Sequence, residues 1–247
     1  MPGCDPVSHR VGARTGVVVL HGFTGNPSSM RGVAEAMMSA GFDVELPRLP
    51  GHGTTIDDMQ TTGWADWYAA ADQAIADLAA RVDQIVVIGQ SMGATLALAA
   101  ALKHPAIAGL VCINPATRPP DEATSTMIDE FIEDGLLVVP GEGSDIADPE
   151  SFDIAYDGTP LLPLKSFVSD GIVPIRDRFG ELKMPLRLFT SRQDHVVAPA
   201  DSTHLAKTYG GPVEHTWLER SYHVATLDYE RDVVIAESVA FARKVAS

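Results

Sequence analysis

Apolar residues along the chain fall into two alternating patterns. Short continuous runs, Val17-Val18-Val19-Leu20, Gln84 to Ile88, Ala108 to Asn114 and Leu186 to Thr190, read as strands covered on both faces. Asp43-Val44-Glu45-Leu46 reads as a further strand, and the more polar alternation of Val213 to Leu218 suits a sheet edge. Between the runs lie helical stretches. Pro27 to Ala40 stops at Gly41, and Trp64 to Val82 repeats Trp67, Ala71, Ile75 and Leu78 at helical spacing. Ala94 to Leu102 is a run of strong helix formers closed by Lys103, His104 and Pro105. Helices are also expected near Pro199 to Tyr209 and from Asp228, as N-cap, to Ala246. Residues 1–13 leave room for one short strand around Val7 to Arg10. The alternation predicts an α/β protein with a doubly wound, mostly parallel sheet of about six to seven strands.

One region breaks the rhythm. Residues 117–180 contain several prolines, no convincing strand, and an amphipathic helix bearing Met127, Ile128, Phe131 and Ile132. An insertion of that length between strands reads as a functional lid. The expected organisation is a core of residues 1–116 and 181–247 with a cap over 117–180.

Composition narrows the partners. The 247 residues are 45% hydrophobic, enough for a sizeable core, and 33 acidic residues against 18 basic give a net charge of −15. That balance argues against nucleic acid or an anionic membrane as partner, since phosphate binding wants a basic face. Cys4 and Cys112 give neither a disulfide framework nor a metal cluster. Met1 to Gly16 holds no apolar signal region, and no run reaches the length of a membrane span. A soluble, cytoplasmic protein is expected, with no cofactor.

The candidate chemistry centres on Gly89-Gln90-Ser91-Met92-Gly93, which joins a strand to a helix. A turn this tight strains the serine backbone and lifts its hydroxyl above the sheet edge, and Cβ atoms on its glycines would collide with neighbours. A serine needs a neutral base. Of the eight histidines, His223 follows the last strand and so reaches the sheet edge that carries Ser91. His21, His52, His104, His9, His204 and His215 fall in contexts that suit structural roles, and His195 reads as a loop residue. Asp194, after the preceding strand, is placed to fix the tautomer of His223. One strand earlier the same position is Asn114, which rules out an acid there. The order Ser91, Asp194, His223 is the serine, acid, histidine order of α/β-hydrolases. The backbone N–H groups of Met92 and Phe23 are the expected oxyanion donors.

His21-Gly22-Phe23-Thr24-Gly25, Leu49-Pro50-Gly51-His52-Gly53, the serine pentapeptide and Ser221-Tyr222-His223-Val224-Ala225-Thr226 together resemble the small bacterial carboxylesterases and monoacylglycerol lipases of the α/β-hydrolase superfamily. Asp194-His195-Val196-Val197 leans toward the lipases. The resemblance implies a carboxylic-ester hydrolase acting on a small-molecule ester, with Ser91, Asp194 and His223 as triad. It also implies an acid in the cap that contacts the glycerol, for which Asp157 in Ala155-Tyr156-Asp157-Gly158-Thr159-Pro160 is the candidate. Phe131 and Ile132 are the expected lining of an acyl tunnel. Epoxide hydrolases and haloalkane dehalogenases of this fold use an aspartate nucleophile, so Ser91 argues against both. Thioesterases, C–C bond hydrolases and perhydrolases share the triad, and a ligand-binding receptor is the alternative outside enzymes.

Overall fold

The computed structural model describes residues 1–141 and 144–247. The first half of the chain carries β1 (Val7–His9), β2 (Thr15–Leu20), α1 (Pro27–Ser39), β3 (Asp43–Leu46), α2 (Ile56–Met59) and α3 (Trp64–Ala79). Next come β4 (Gln84–Gln90), α4 (Met92–Ala101) and β5 (Ile107–Ile113). The stretch before the next sheet strand holds α5 (Glu122–Glu133), β6 (Val138–Pro140), β7 (Gly158–Pro160) and α6 (Leu161–Ser166). The chain closes with β8 (Leu186–Ser191), α7 (Pro199–Thr208), β9 (Val213–Leu218) and α8 (Arg231–Ala246).

The main sheet has the order β1-β3-β2-β4-β5-β8-β9. Only β1 runs antiparallel, against β3; the other pairings are parallel. The continuous apolar runs are continuous because successive side chains enter different layers. Val17 and Val19 pack with Met30 and Met37 of α1 and Phe241 of α8. Val18 and Leu20 face the opposite layer, with Trp67, Ile75 and Leu78 of α3. Every residue of α4 is buried, so its sequence shows no polar stripe.

Register positions the chemistry. Leu20 lies beside Gly89, Gln90 beside Ile113, and Ser191 beside Leu218. The strands therefore end level, and the loops after β2, β4, β5, β8 and β9 gather on one sheet edge, where open parallel sheets bind ligands.

Three local differences from the sequence expectation have physical causes. β6 and β7 form a small antiparallel ribbon, and three-residue strands are too short to show a period. Met127 is exposed and no residue of α5 is fully buried, so this helix lies loosely on the molecule. Finally, α8 begins at Arg231 and Asp228 does not cap it. The buried Asp228 carboxylate instead accepts the N–H groups of Ala147, Asp148, Tyr222 and Tyr229 at 2.7–3.0 Å. Among the described residues no helix is long and apolar enough to cross a membrane.

Candidate active site

Ser91 sits between β4 and α4 with φ 54° and ψ −121°, a conformation that costs an L-residue roughly 1–3 kcal/mol. The two glycines make the turn possible. A Cβ on Gly89 would run into the Gly93 carbonyl, and one on Gly93 would run into the Leu20 carbonyl, both backbone atoms that cannot swing aside. The Ser91 N–H donates to Ile113 O at 2.9 Å, which ties the turn to the neighbouring strand.

The loop after β2 lies against the serine: a Cβ on Gly22 would stand 3.3 Å from Ser91 Cβ. His21 fixes this loop. Its Nε2 accepts the Leu49 N–H at 3.2 Å, so its proton is on Nδ1, which lies 3.0 Å from Gly22 O and donates to it. Burial, with His52 beside it, pulls the His21 pKa down to about 3 and keeps the ring neutral. Burial likewise lowers His52 to about 4. Gly22 C=O and Phe23 N–H belong to one trans peptide, so holding the carbonyl turns the N–H the opposite way. The Met92 N–H is the first of α4 and has no acceptor within the helix.

His223 Nδ1 lies 2.8 Å from Asp194 Oδ2, and both side chains are almost wholly buried. The other Asp194 oxygen accepts Val196 and Val197 N–H at 2.9 and 2.7 Å, which holds the carboxylate in place. An acceptor at Nδ1 puts the ring proton there and leaves Nε2 with a lone pair. The backbone of His223 is held on both sides. Its N–H donates to Asp145 at 3.0 Å, and its carbonyl accepts from Asn114 Nδ2 at 2.8 Å. Asn114, at the end of β5 with φ 45°, also bonds Ser191 through both ends of its amide. A second link runs from Thr226 Oγ1 to Gln90 Oε1 at 2.8 Å, joining the histidine loop to the residue before Ser91.

Two cavities meet at Ser91. The larger, about 810 Å³, is apolar, with Phe23, Ile128, Leu164, Phe167, Val168 and Ile172 among its walls. The smaller, about 520 Å³, is the more polar of the two and holds Thr24, Ser144, Asp145, Asp153 and His223. Phe23, Ser91, Leu164 and Val196 border both.

Asp153 is the unusual group. Burial raises its pKa to about 6, against the pull of the Ile154 N–H and of nearby His223. Its Oδ1 is shut off from solvent and meets no donor among the described residues. The segment carrying it is pinned at several points. Asn26 Nδ2 donates to Ile154 O, Tyr156 OH donates to Gly51 O at 2.6 Å, and the Asp153 N–H donates to Ser144 Oγ at 3.2 Å.

The structure brings Ser91, His223, Asp194, Phe23 and Met92 to one edge and leaves the expected cap residues elsewhere. Asp157 is exposed and borders a separate cleft with Thr54, Ile56 and Val138. It sits beside the β6–β7 ribbon, where its carbonyl accepts the Gly141 N–H at 2.9 Å, and it does not border the cavity that holds His223. Phe131 and Ile132 border neither cavity at Ser91; Ile128, a turn earlier on α5, borders the larger. Asp153 had a weak signal in the sequence, an isolated acid between Phe152 and Ile154. Among the described residues no cluster of His, Cys, Asp and Glu is arranged to hold a metal ion.

A strained serine on a strand-to-helix turn, beside a buried histidine–carboxylate pair on a doubly wound sheet, defines the class. The family model described as the alpha/beta hydrolase fold matches residues 16–149, and the chain belongs to that family. The chain is 36% identical to a thermostable monoacylglycerol lipase of Bacillus sp. (strain H-257), covering 100% of this chain and 97% of that one. It is 27% identical to a carboxylesterase of Bacillus subtilis (strain 168), covering 95% and 94%. Among solved structures, one described under LipS and LipT, two metagenome-derived lipolytic enzymes, aligns over 99% of both chains with TM-score 0.91 and 38% identity. Within its family this chain is a serine ester hydrolase.

Proposed function

We propose that this hydrolase acts on monoacylglycerols, with residues 117–180 as a cap over Ser91. Ser91 Oγ attacks the ester carbonyl and gives its proton to Nε2 of His223. Asp194 holds the imidazole and stabilises the imidazolium that forms. The developing oxyanion is met by the N–H groups of Phe23 and Met92; one such donor contributes about 3 kcal/mol to the barrier reduction. His223 then protonates the departing alcohol, and water repeats the cycle on the acyl-enzyme. A cytoplasmic setting goes with this reading, because Cys4 and Cys112 are both unpaired and buried, which suits a reducing compartment.

The observation that carries the substrate is the pair of unlike chambers meeting at Ser91. The apolar one is of a size that encloses a long acyl chain. The more polar one is lined by Asp153, Thr24 and Ser144, which suits the free hydroxyls of a glyceryl group. A hydrogen bond to a charged acceptor contributes roughly 1.5–3 kcal/mol. The test compares kcat/KM for a monoacylglycerol with that for the methyl ester of the same acid. The expected preference for the glyceryl ester is about tenfold or more, falling toward unity in Asp153→Ala. Equal kcat/KM for the two esters in the wild-type enzyme would overturn the assignment.

A further inference from the structure

Phe23 sits on a loop whose own backbone gives it little support. Glycines stand at 22 and 25, and Thr24 is in the left-handed region with φ 59°. The Phe23 N–H donates to no acceptor among the described residues, which leaves it open toward Ser91. The Phe23 carbonyl accepts the hydroxyl of neighbouring Thr24 at 2.6 Å, a bond that travels with the loop. Beyond the His21 bond to Gly22 O, the residue is held through its ring.

Trp67 of α3 and His52 meet that ring edge-on, with centroids 5.7 and 6.4 Å away at 73° and 78°. Phe167, from the inserted segment, covers its face instead, 6.2 Å away and 16° from parallel. Phe167 in turn lies 5.9 Å from Trp64 at 23°, so Trp64, Phe167 and Phe23 form a row of three near-parallel rings. Both spacings are those of offset stacking. The row has a firm base. Trp64 opens α3, and its N–H donates to Ser166 Oγ at 3.1 Å. A Cβ on Gly171 would stand 2.6 Å from the Trp64 ring, so the inserted segment closes tightly over it. From Phe167 to Ile172 the backbone is a π-helical turn, with the Val173 N–H donating to Val168 O at 3.1 Å. Such turns are rare and are frequent at functional sites.

We infer that Phe167 is a positioning residue for the reaction: it clamps the Phe23 ring against Trp67 and thereby sets the direction of the Phe23 N–H. The inference rests on the reading above, in which that N–H meets the oxyanion. A ring fixed on three sides removes the freedom that Gly22 gives the peptide before it. Oxyanion donors contribute only when they are already aimed at the developing charge. The inserted segment therefore completes the oxyanion hole as well as roofing the acyl chamber.

Phe167 also borders that chamber. A wall role alone would touch long acyl groups and spare short ones, so the test uses p-nitrophenyl acetate, whose acyl group extends one methyl beyond the carbonyl. Acylation and deacylation both pass through an oxyanion, and a misdirected donor lowers kcat while KM holds. Phe167→Ala should lower kcat on the acetate about tenfold, less than the ~10²–10³ lost when a donor is removed. Phe167→Leu, which fills the space without a stacking face, should lie between and carries the test if the alanine variant melts. Phe23→Ala keeps the N–H but loses the ring. The double variant Phe23→Ala/Phe167→Ala should be no slower than Phe23→Ala, because both changes act through one contact. Additive losses in the double variant would overturn the inference. So would an unchanged kcat on the acetate in the folded Phe167 variants, with p-nitrophenyl decanoate alone affected. Ser91→Ala on the same ester separates the two readings. Turnover that needs Ser91 and ignores Phe167 sinks the positioning role and spares the hydrolytic mechanism. Turnover that survives Ser91→Ala sinks both.

Discussion

Asp145 accepts the backbone N–H of His223 at 3.0 Å, and through its other oxygen it meets His195 Nδ1 at 2.7 Å. The Val224 N–H donates to the Asp145 carbonyl at 3.1 Å, so one residue of the inserted segment grips the histidine loop through both side chain and backbone. Two residues further on, Asp228 clasps Ala147 and Asp148 from the other side. The strap around residues 144–148 and the loop bearing the base are therefore tied together from both sides. By contrast, α5 buries no residue fully.

Removing the Asp145 carboxylate should loosen His223 without touching the reacting atoms. Asp145→Ala is expected to lower kcat on a p-nitrophenyl ester by about tenfold or more, as a buried N–H left unpaired costs ~1–3 kcal/mol. KM for the same ester should change little. Steady-state kinetics alongside a melting curve separate this from unfolding. A fall in melting temperature with kcat preserved would show that Asp145 serves the fold alone.

The triad assignment is tested by changing the tautomer rather than the shape. Asp194→Asn keeps a side chain of the same size at Oδ2 but presents an amide to His223 Nδ1, which favours the wrong tautomer. A loss of about 10⁴ in kcat is expected. Ser91→Ala should abolish labelling by a fluorophosphonate probe in a protein that melts normally. Near-normal turnover in folded Asp194→Asn would remove the acid from this position.

The elbow was legible because backbone geometry dictates its residues: Gly89 and Gly93 have no room for a Cβ, so the pattern announces itself. The sheet was legible because Val17 to Leu20 must be apolar on both faces to lie between two helical layers. Asp194 and His223 followed from their places after consecutive strands. The inserted segment was not legible in the same way. Its ribbon strands are three residues long, α5 has little core to face, and the position of Asp153 depends on pinning to Asn26 and Gly51, far away in sequence. Asp157 and Asp153 are both acids in this stretch, and only the folded path of the chain turns Asp153 toward Ser91. Asn114 was read as the absence of an acid, whereas its amide is the cross-link between β5, β8 and the histidine loop.

Chain-length preference should respond to the residues that border the apolar chamber and to those alone. Ile128 borders it, and Phe131 does not. Ile128→Trp is expected to fill part of the chamber and move the optimum toward shorter acyl groups, at up to ~0.8 kcal/mol for each methylene excluded. Phe131→Ala should leave the profile as it is. A series of p-nitrophenyl esters of rising chain length gives both answers. A shift in Phe131→Ala with none in Ile128→Trp would reverse the assignment of the α5 face.

Asp153 should also be visible in stability. Its pKa stands at about 6 in the folded chain, raised by burial from 3.8. A carboxyl that holds its proton more tightly when folded binds more protons folded than unfolded between those two values. Stability therefore falls as pH rises from ~3.9, and the loss is complete above a pH of about 6. At ~1.4 kcal/mol per tenfold change in proton affinity, the ionised side chain costs on the order of 3 kcal/mol at neutral pH. Below pH ~4 the carboxyl is protonated in both states and the cost vanishes. Asp153→Asn removes the ionisation while keeping the shape, so the variant should melt several degrees higher than wild type at pH 8. The gap should close near pH 4. The same variant should discriminate less well between glyceryl and methyl esters, which would make the buried charge a stability cost retained for recognition. A gap that stays constant between pH 4 and pH 8 would show that the substitution acts through packing, and that the Asp153 carboxyl is not held as a strained anion beside Ser91.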